Sequence, residues 1–202
     1  AYAIGGGPLL VSTIESNYRV DIDNYASVDF SSMANIIDLV GGVDLEVSTQ
    51  EAGYINMYLD EQCRLQGLNA SDYYVAGGGI THLNGNQAVG FARIRYTSRG
   101  NEHSDYGRTS RQREILVQLM QKARSLDATT LLAVVNNMLP LITHNIDAAT
   151  LTTLIANAPS YINYDIQTDR IPYDGLYSNL GEELVPDFEA TINRLHQTIY
   201  GN

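Results

Sequence analysis

The stretch AVGFARIRYTSRGNEHSDYGRTSRQREILVQLMQKARSL, Ala88 to Leu126, sets the reading of the whole chain, because it gathers positive charge into one place in an acidic protein. Eight of the twelve basic residues lie in it: Arg93, Arg95, Arg99, Arg108, Arg111, Arg113, Lys122 and Arg124. Only Glu102, Asp105 and Glu114 oppose them, so the window carries +5. Elsewhere four basic residues face twenty acidic ones, −16, which gives the net −11 of the 202 residues. Seven of the eight are arginine, the side chain whose planar fork binds phosphate or carboxylate oxygens bidentately.

The C-terminal half of the stretch reads as a helix, since Ile115, Leu116, Leu119, Met120, Ala123 and Leu126 recur at helical period. A helix beginning near Arg108 sets Arg108, Arg111 and Gln112, at i, i+3 and i+4, on one face of its first turn. Free N–H groups and the helix dipole favour an anion there. Arginines at that end oppose the dipole, so an anionic ligand is expected to offset them. Upstream, Arg93 and Arg95 share a direction if the segment is extended and lie about 200° apart if it is helical; both readings stand. The polar run YTSRGNEHSDYG (96–107) reads as a loop that folds both groups of arginines around one ligand. Asp105 is read as a cap or as a partner that orients Arg108, with a second reading as the general base for an acceptor hydroxyl. Arginines beside it would lower its pKa and weaken it as a base.

Working outward, Pro8–Asn17 reads as a helix after the Gly5–Gly7 break, and Val20–Phe30 as a strand rich in β-branched and aromatic residues. Ser31 or Ser32 is expected to cap a short helix that buries Met33, Ile36 and Ile37 and stops at Gly41. Val43, Leu45 and Val47 alternate as a half-buried strand does. A helix is expected over 50–62, a short strand over 80–83, and a turn at Asn84-Gly85. Asp127 and Asp147 are expected to cap two further helices, Tyr161–Ile171 reads as a strand, and Pro186 opens a terminal helix to Tyr200. Helices alternating with single strands predict one α/β domain over 1–202, a three-layer α/β/α arrangement with a central mixed β-sheet flanked by helices.

Composition excludes several functions. A net charge of −11 disfavours nucleic acid and anionic lipid as nonspecific partners. The lone Cys63 excludes a disulfide framework, and the four histidines have no metal-ligand spacing. No run of about 20 apolar residues, the length of a membrane helix, occurs. Tyrosine is abundant, 14 against 3 Phe and no Trp; most read as sheet-edge and loop residues. Tyr54 and Tyr58, at i and i+4, carry a second reading as the lining of a sugar or lipid groove.

Three motifs in order, LVGGVDLEV (39–47), HLNGNQAV (82–89), and FARIR (91–95) followed across a polar loop by DYGRTSRQR (105–113), resemble the signature of the LytR-CpsA-Psr family of Gram-positive cell-envelope proteins. The resemblance implies a membrane-anchored glycopolymer (phospho)transferase on the extracytoplasmic face of the cell membrane. Such a protein moves teichoic acid or capsular polysaccharide from a polyprenyl-pyrophosphate carrier to peptidoglycan. Arg93, Arg95, Arg108 and Gln112 match the family positions that contact the pyrophosphate, and Arg111 is grouped with them, with Mg²⁺ assisting. The same resemblance implies that the N-terminal anchor and the metal-binding aspartates lie upstream of Ala1, in an N-terminally incomplete domain. An alternative is a polyprenyl-phosphate-binding or regulatory protein, the family's older attenuator label, that holds the lipid without turnover.

Overall fold

The computed structural model describes residues 1–97, 104–161, 163–180 and 183–201. In chain order the elements are α1 (Tyr2–Tyr18), β1 (Ala26–Ser27), α2 (Phe30–Leu39), β2 (Val43–Val47), α3 (Thr49–Gln66), β3 (Gly79–Leu83) and α4 (Gly85–Arg93). There follow α5 (Ser104–Arg124), α6 (Ala128–Met138), β4 (Thr143–His144), α7 (Ala148–Tyr161), β5 (Tyr177–Leu180), β6 (Glu183–Pro186) and α8 (Phe188–Tyr200). The chain gathers into two compact units, one of Ala1–Ser27, His144–Ile146 and Gln167–Asn202, the other of Val28–Thr143 and Asp147–Ile166.

The expected α/β class is what the chain shows, but its strands are arranged more sparsely than in one central layer. Among the described residues they form three two-stranded sheets, β1-β4, β2-β3 and β5-β6, of which β2-β3 and β5-β6 are antiparallel. Two expected strands account for the difference. Val20–Phe30 contributes only Ala26–Ser27, because the Asp29 carboxylate accepts the Ser32 N–H at 2.7 Å and starts α2 at Phe30. That local cap takes the end of the run into a helix. Tyr161 closes α7 instead of opening a strand, and Ile166 and Ile171, 38% and 37% exposed, have no sheet face to bury.

The second unit holds the larger core. Val43, Leu45 and Val47 turn inward from β2, and Ile37, Ile55, Leu59, Phe91 and Ile115 close over them from α2, α3, α4 and α5. Asn84 does not make a turn into the arginine segment. Its side chain accepts the Gln87 N–H at 3.0 Å and the Gln87 side chain accepts the Asn84 N–H at 2.8 Å, a reciprocal cap that starts α4 at Gly85. Gly85 is required there: a Cβ would lie 2.0 Å from the Ala34 carbonyl oxygen, so only glycine lets α4 approach α2 this closely.

In the first unit, α1 bends at Gly5 and Gly6, whose φ/ψ leave the helical region, and packs on α8. Tyr18 lies 5.9 Å from Phe188, and Arg19 pairs with Glu189 at 2.5 Å. Pro186 ends β6, and Asp187 caps α8 through the Ala190 N–H at 3.1 Å, so the helix starts at Phe188, two residues later than the proline had suggested.

Candidate functional site

Arg93 is the last residue of α4, after which Ile94 turns the chain extended (φ −63°, ψ 126°) and buries its side chain. The helix therefore ends between the two arginines, which resolves the alternatives left open by their spacing. The Arg93 guanidinium carbon stands 5.1 Å from the Phe30 ring centre and 4.6 Å from that of Tyr58, so α2 and α3 each supply a ring to hold it. Gly90 makes room for this. A Cβ there would meet Tyr58 Cδ1 at 2.9 Å.

Across from this segment, α5 begins at Ser104, a full turn before Arg108. Arg108 thus lies inside the helix, and the free N–H groups of its first turn belong to earlier residues; the expected dipole argument moves off Arg108. Arg108 and Gln112, at i and i+4, still share a face, and with Arg93, Arg95, Phe30, Ala92 and Tyr96 they line a cavity of about 560 Å³. A second cavity of about 270 Å³ adjoins it, sharing Phe30, Ala92 and Gln112. Val28, Met33, Ile37, Val89, Ile115 and Leu116 make its walls apolar. Asp29 also borders it, but its carboxylate is engaged by the Ser32 N–H first and the Ser32 hydroxyl second, which hold its pKa below the usual carboxylate value.

Arg111 departs from the expectation that grouped it with the ligand-facing arginines. One residue before Gln112 on a 100° helical step, it falls on the side of the buried Ile115, and it is 0% exposed. Its Nε donates to Glu51 Oε1 at 2.9 Å, Nη1 to the Ile94 carbonyl at 3.3 Å, and Nη2 to the Thr97 carbonyl at 3.2 Å. Glu51, 2% exposed, completes a capping box with Ser48 at the start of α3, its Oε2 accepting the Ser48 N–H and hydroxyl, both at 2.9 Å. A buried ion pair thereby joins the start of α3 to α5 and pins the backbone on both sides of Arg95 and Tyr96. The Ser48-x-x-Glu51 spacing announces the cap in the sequence; nothing local announces that the same carboxylate meets an arginine sixty residues on.

Other expected residues are placed as follows. Tyr58 stacks on Arg93, and Tyr54 lies 6.0 Å from the Tyr96 ring, so both members of the i, i+4 pair reach the arginine segment. The Asp105 side chain, Arg99 and His103 lie outside the described residues. Cys63 is buried in α3. His82 pairs at 2.8 Å with Asp44, which also meets Lys122 at 2.7 Å. Among the described residues no group of three or more His, Cys, Asp or Glu side chains converges as a metal site. Among the described residues the lining of the arginine cavity includes no carboxylate.

Comparison with known proteins bears on this geometry. A polyisoprenyl-teichoic acid–peptidoglycan teichoic acid transferase, TagV of Bacillus subtilis, is 32% identical over 125 residues, covering 62% of this chain and 28% of that protein. TagU of Enterococcus faecalis, described by the same activity, is 28% identical over 145 residues, covering 68% of this chain and 40% of its own. The chain thus spans well under half the length of these relatives. Among solved structures, TagT bound to LIIa-WTA superposes with a TM-score of 0.66 at 18% identity, over 98% of this chain and 69% of that one. The crystal structure of B. subtilis TagV gives 0.62 at 22%, over 98% and 72%. These superpositions establish a shared fold. The family description LytR_cpsA_psr matches residues 1–195, and the chain therefore belongs to the LytR-CpsA-Psr family.

Proposed function

We propose that this chain carries the transfer site of a cell-envelope enzyme that takes a glycopolymer, teichoic acid or a related wall polysaccharide, from a polyprenyl-pyrophosphate carrier to peptidoglycan. The observation that carries the reading is the junction of two cavities at Phe30, Ala92 and Gln112, one apolar and one lined by Arg93, Arg95 and Arg108. A ligand that fills both has a hydrocarbon tail and an anionic head. Its apolar tail gains about 25 cal/mol per Å² removed from water, and its phosphate oxygens meet guanidinium groups that never lose their charge. The curated relatives, named as teichoic acid transferases, support the same class of substrate and a role in the cell envelope.

The chemistry required of these residues is electrostatic. As an acceptor hydroxyl displaces the carrier, negative charge accumulates on phosphate oxygens. Guanidinium groups already in position stabilise it without reorganisation, in a site from which the lipid excludes water. Gln112, one turn from Arg108, adds an amide that donates to an oxygen at the boundary between head and tail. Attachment to the outer face of the membrane, through the N-terminal anchor that the family resemblance implies, belongs to the reading as well; among the described residues no helix is long and apolar enough to cross a membrane.

The test is native mass spectrometry of the chain with a polyprenyl pyrophosphate, paired with a transfer assay in the complete protein. Retained lipid that is lost in Arg93→Ala and Arg108→Ala, together with loss of transfer in both, is the expected result. Full transfer by either variant would remove the arginine cavity from the reaction. Retained lipid without transfer by the complete wild-type protein would leave a lipid-binding protein instead of a transferase.

A further inference from the structure

We infer that the exposed ring of Tyr96, backed by Tyr54, is the seat of the first sugar ring of the carrier-linked glycopolymer. The inference rests on the function proposed above and assigns a place to the part of the substrate that neither cavity explains.

The order of chemistries across the site carries it. Helix α4 packs against both α2 and α3. Phe30 comes from α2 and borders the apolar cavity, whereas Tyr54 and Tyr58 come from α3, and Arg93 at the end of α4 has one ring from each. From the α2 side to the α3 side the site therefore runs apolar, then cationic, then aromatic. A polyprenyl-pyrophosphate-linked glycan is ordered the same way: hydrocarbon, two phosphates, sugar. With the tail in the apolar cavity and the phosphates among the arginines, the sugar emerges at the wall formed by Tyr96, which lines the arginine cavity and not the apolar one.

Tyr96 suits that occupant. Its residue is 81% exposed, yet its ring is supported 6.0 Å from that of Tyr54 at an interplanar angle of 31°. The backbone beneath it is held by Arg111, which grips the carbonyls of Ile94 and Thr97 on either side. On this pinned backbone the exposed ring is held in place for a ligand. A pyranose presents one face of C–H bonds to such a ring and leaves its hydroxyls in solvent, which matches the amphipathic character of tyrosine.

Two probes separate this inference from the reading beneath it: farnesyl diphosphate, and the same diphosphate carrying one N-acetylhexosamine, each titrated calorimetrically into wild type, Tyr96→Ala and Tyr96→Phe. Because Tyr96 is exposed, neither substitution puts folding at risk. Wild type is expected to bind both probes. Tyr96→Ala is expected to lose about three- to tenfold in affinity for the sugar-bearing probe alone, and Tyr96→Phe to retain it. Equal loss on both probes, or no loss on either, would overturn the sugar seat while leaving the lipid and pyrophosphate sites standing. Failure of wild type to bind either probe would overturn the proposed function and the sugar seat with it.

Discussion

Arg111 and Arg93 lie in the same basic stretch, carry the same side chain, and do opposite things. Arg111 is sealed at 0% exposure, its fork divided among a buried carboxylate and two backbone carbonyls. Arg93 stands between two aromatic rings at the lip of an open cavity. The difference teaches that the charge of this stretch serves two purposes. One part builds a rigid frame of a buried ion pair and hydrogen bonds to backbone carbonyls, and the other sets guanidinium groups along the wall of a cavity. The frame is what makes the open site precise, because the Arg111 contacts fall on the residues flanking Arg95.

The largest expected effect comes from breaking the frame. Arg111→Met leaves the Glu51 carboxylate buried without its cation, and should cost about 3–5 kcal/mol. Thermal unfolding should register this as a fall of roughly 6–20 °C for a chain of this size. The double variant Arg111→Met/Glu51→Leu removes both charges and should recover most of the loss. If it recovers none, the pair is not what Arg111 contributes.

Breaking the open site should act on reaction and hardly on fold. Arg108→Ala is expected to lower transfer by about 10²- to 10³-fold, the roughly 2.7–4 kcal/mol of a donor aimed at developing charge. Its unfolding midpoint should stay close to wild type. A fall in stability comparable to that of Arg111→Met would abolish the distinction between the two regions.

Gly90→Ala tests the boundary between them. The added Cβ lies 2.9 Å from Tyr58 Cδ1 and 3.4 Å from Ile55 Cγ2. Overpacking of this kind costs about 1–3 kcal/mol, against which alanine returns up to about 1 kcal/mol of helix propensity. The displaced Tyr58 ring should also loosen Arg93, so affinity for a polyprenyl pyrophosphate should fall by a few-fold with only a small change in stability. Unchanged affinity would show that the Tyr58 ring does not position Arg93.

Acidification is the mildest probe and sharpens the comparison by sparing guanidinium groups. The Asp29, Asp127 and Asp147 carboxylates cap α2, α6 and α7, and their pKa values are lowered mainly by hydrogen bonds from Ser32, Thr130 and Thr150 respectively. Asp44 is lowered by Lys122 and then by His82. Each group binds a proton less tightly folded than unfolded. Their stabilisation is therefore complete above the unfolded carboxylate value and is lost as pH falls below about 4. Urea midpoints should be level from pH 7 to 5 and decline from there downward. A midpoint that rises on acidification would contradict the caps.

How far the sequence reaches depends on whether a feature is local. The Asp127 and Asp147 caps, the one-sided strand Val43–Val47 and the helix that follows the arginine loop were legible because each is specified within a few residues by hydrogen-bonding reach or side-chain period. The strand expected over Val20–Phe30 failed for a reason of the same scale: Asp29 offers the next residues a helix start, and that outweighs β-branched composition. The turn expected at Asn84-Gly85 failed because Gln87, three residues on, converts Asn84 into a cap, and because Gly85 answers to Ala34 far away in the chain.

By itself, the sequence gathered arginines into one stretch where an anion is expected, set Arg108 and Gln112 on one helical face, and carried the three ordered motifs that mark this family. Only the tertiary structure decided which arginines line a cavity and which is buried. Helical spacing puts Arg108, Arg111 and Gln112 within reach of one another, but which part of that arc looks into a cavity and which into the core depends on where α3 delivers Glu51. A guanidinium is costly to bury without a carboxylate, and the position of that carboxylate is a property of packing between segments sixty residues apart.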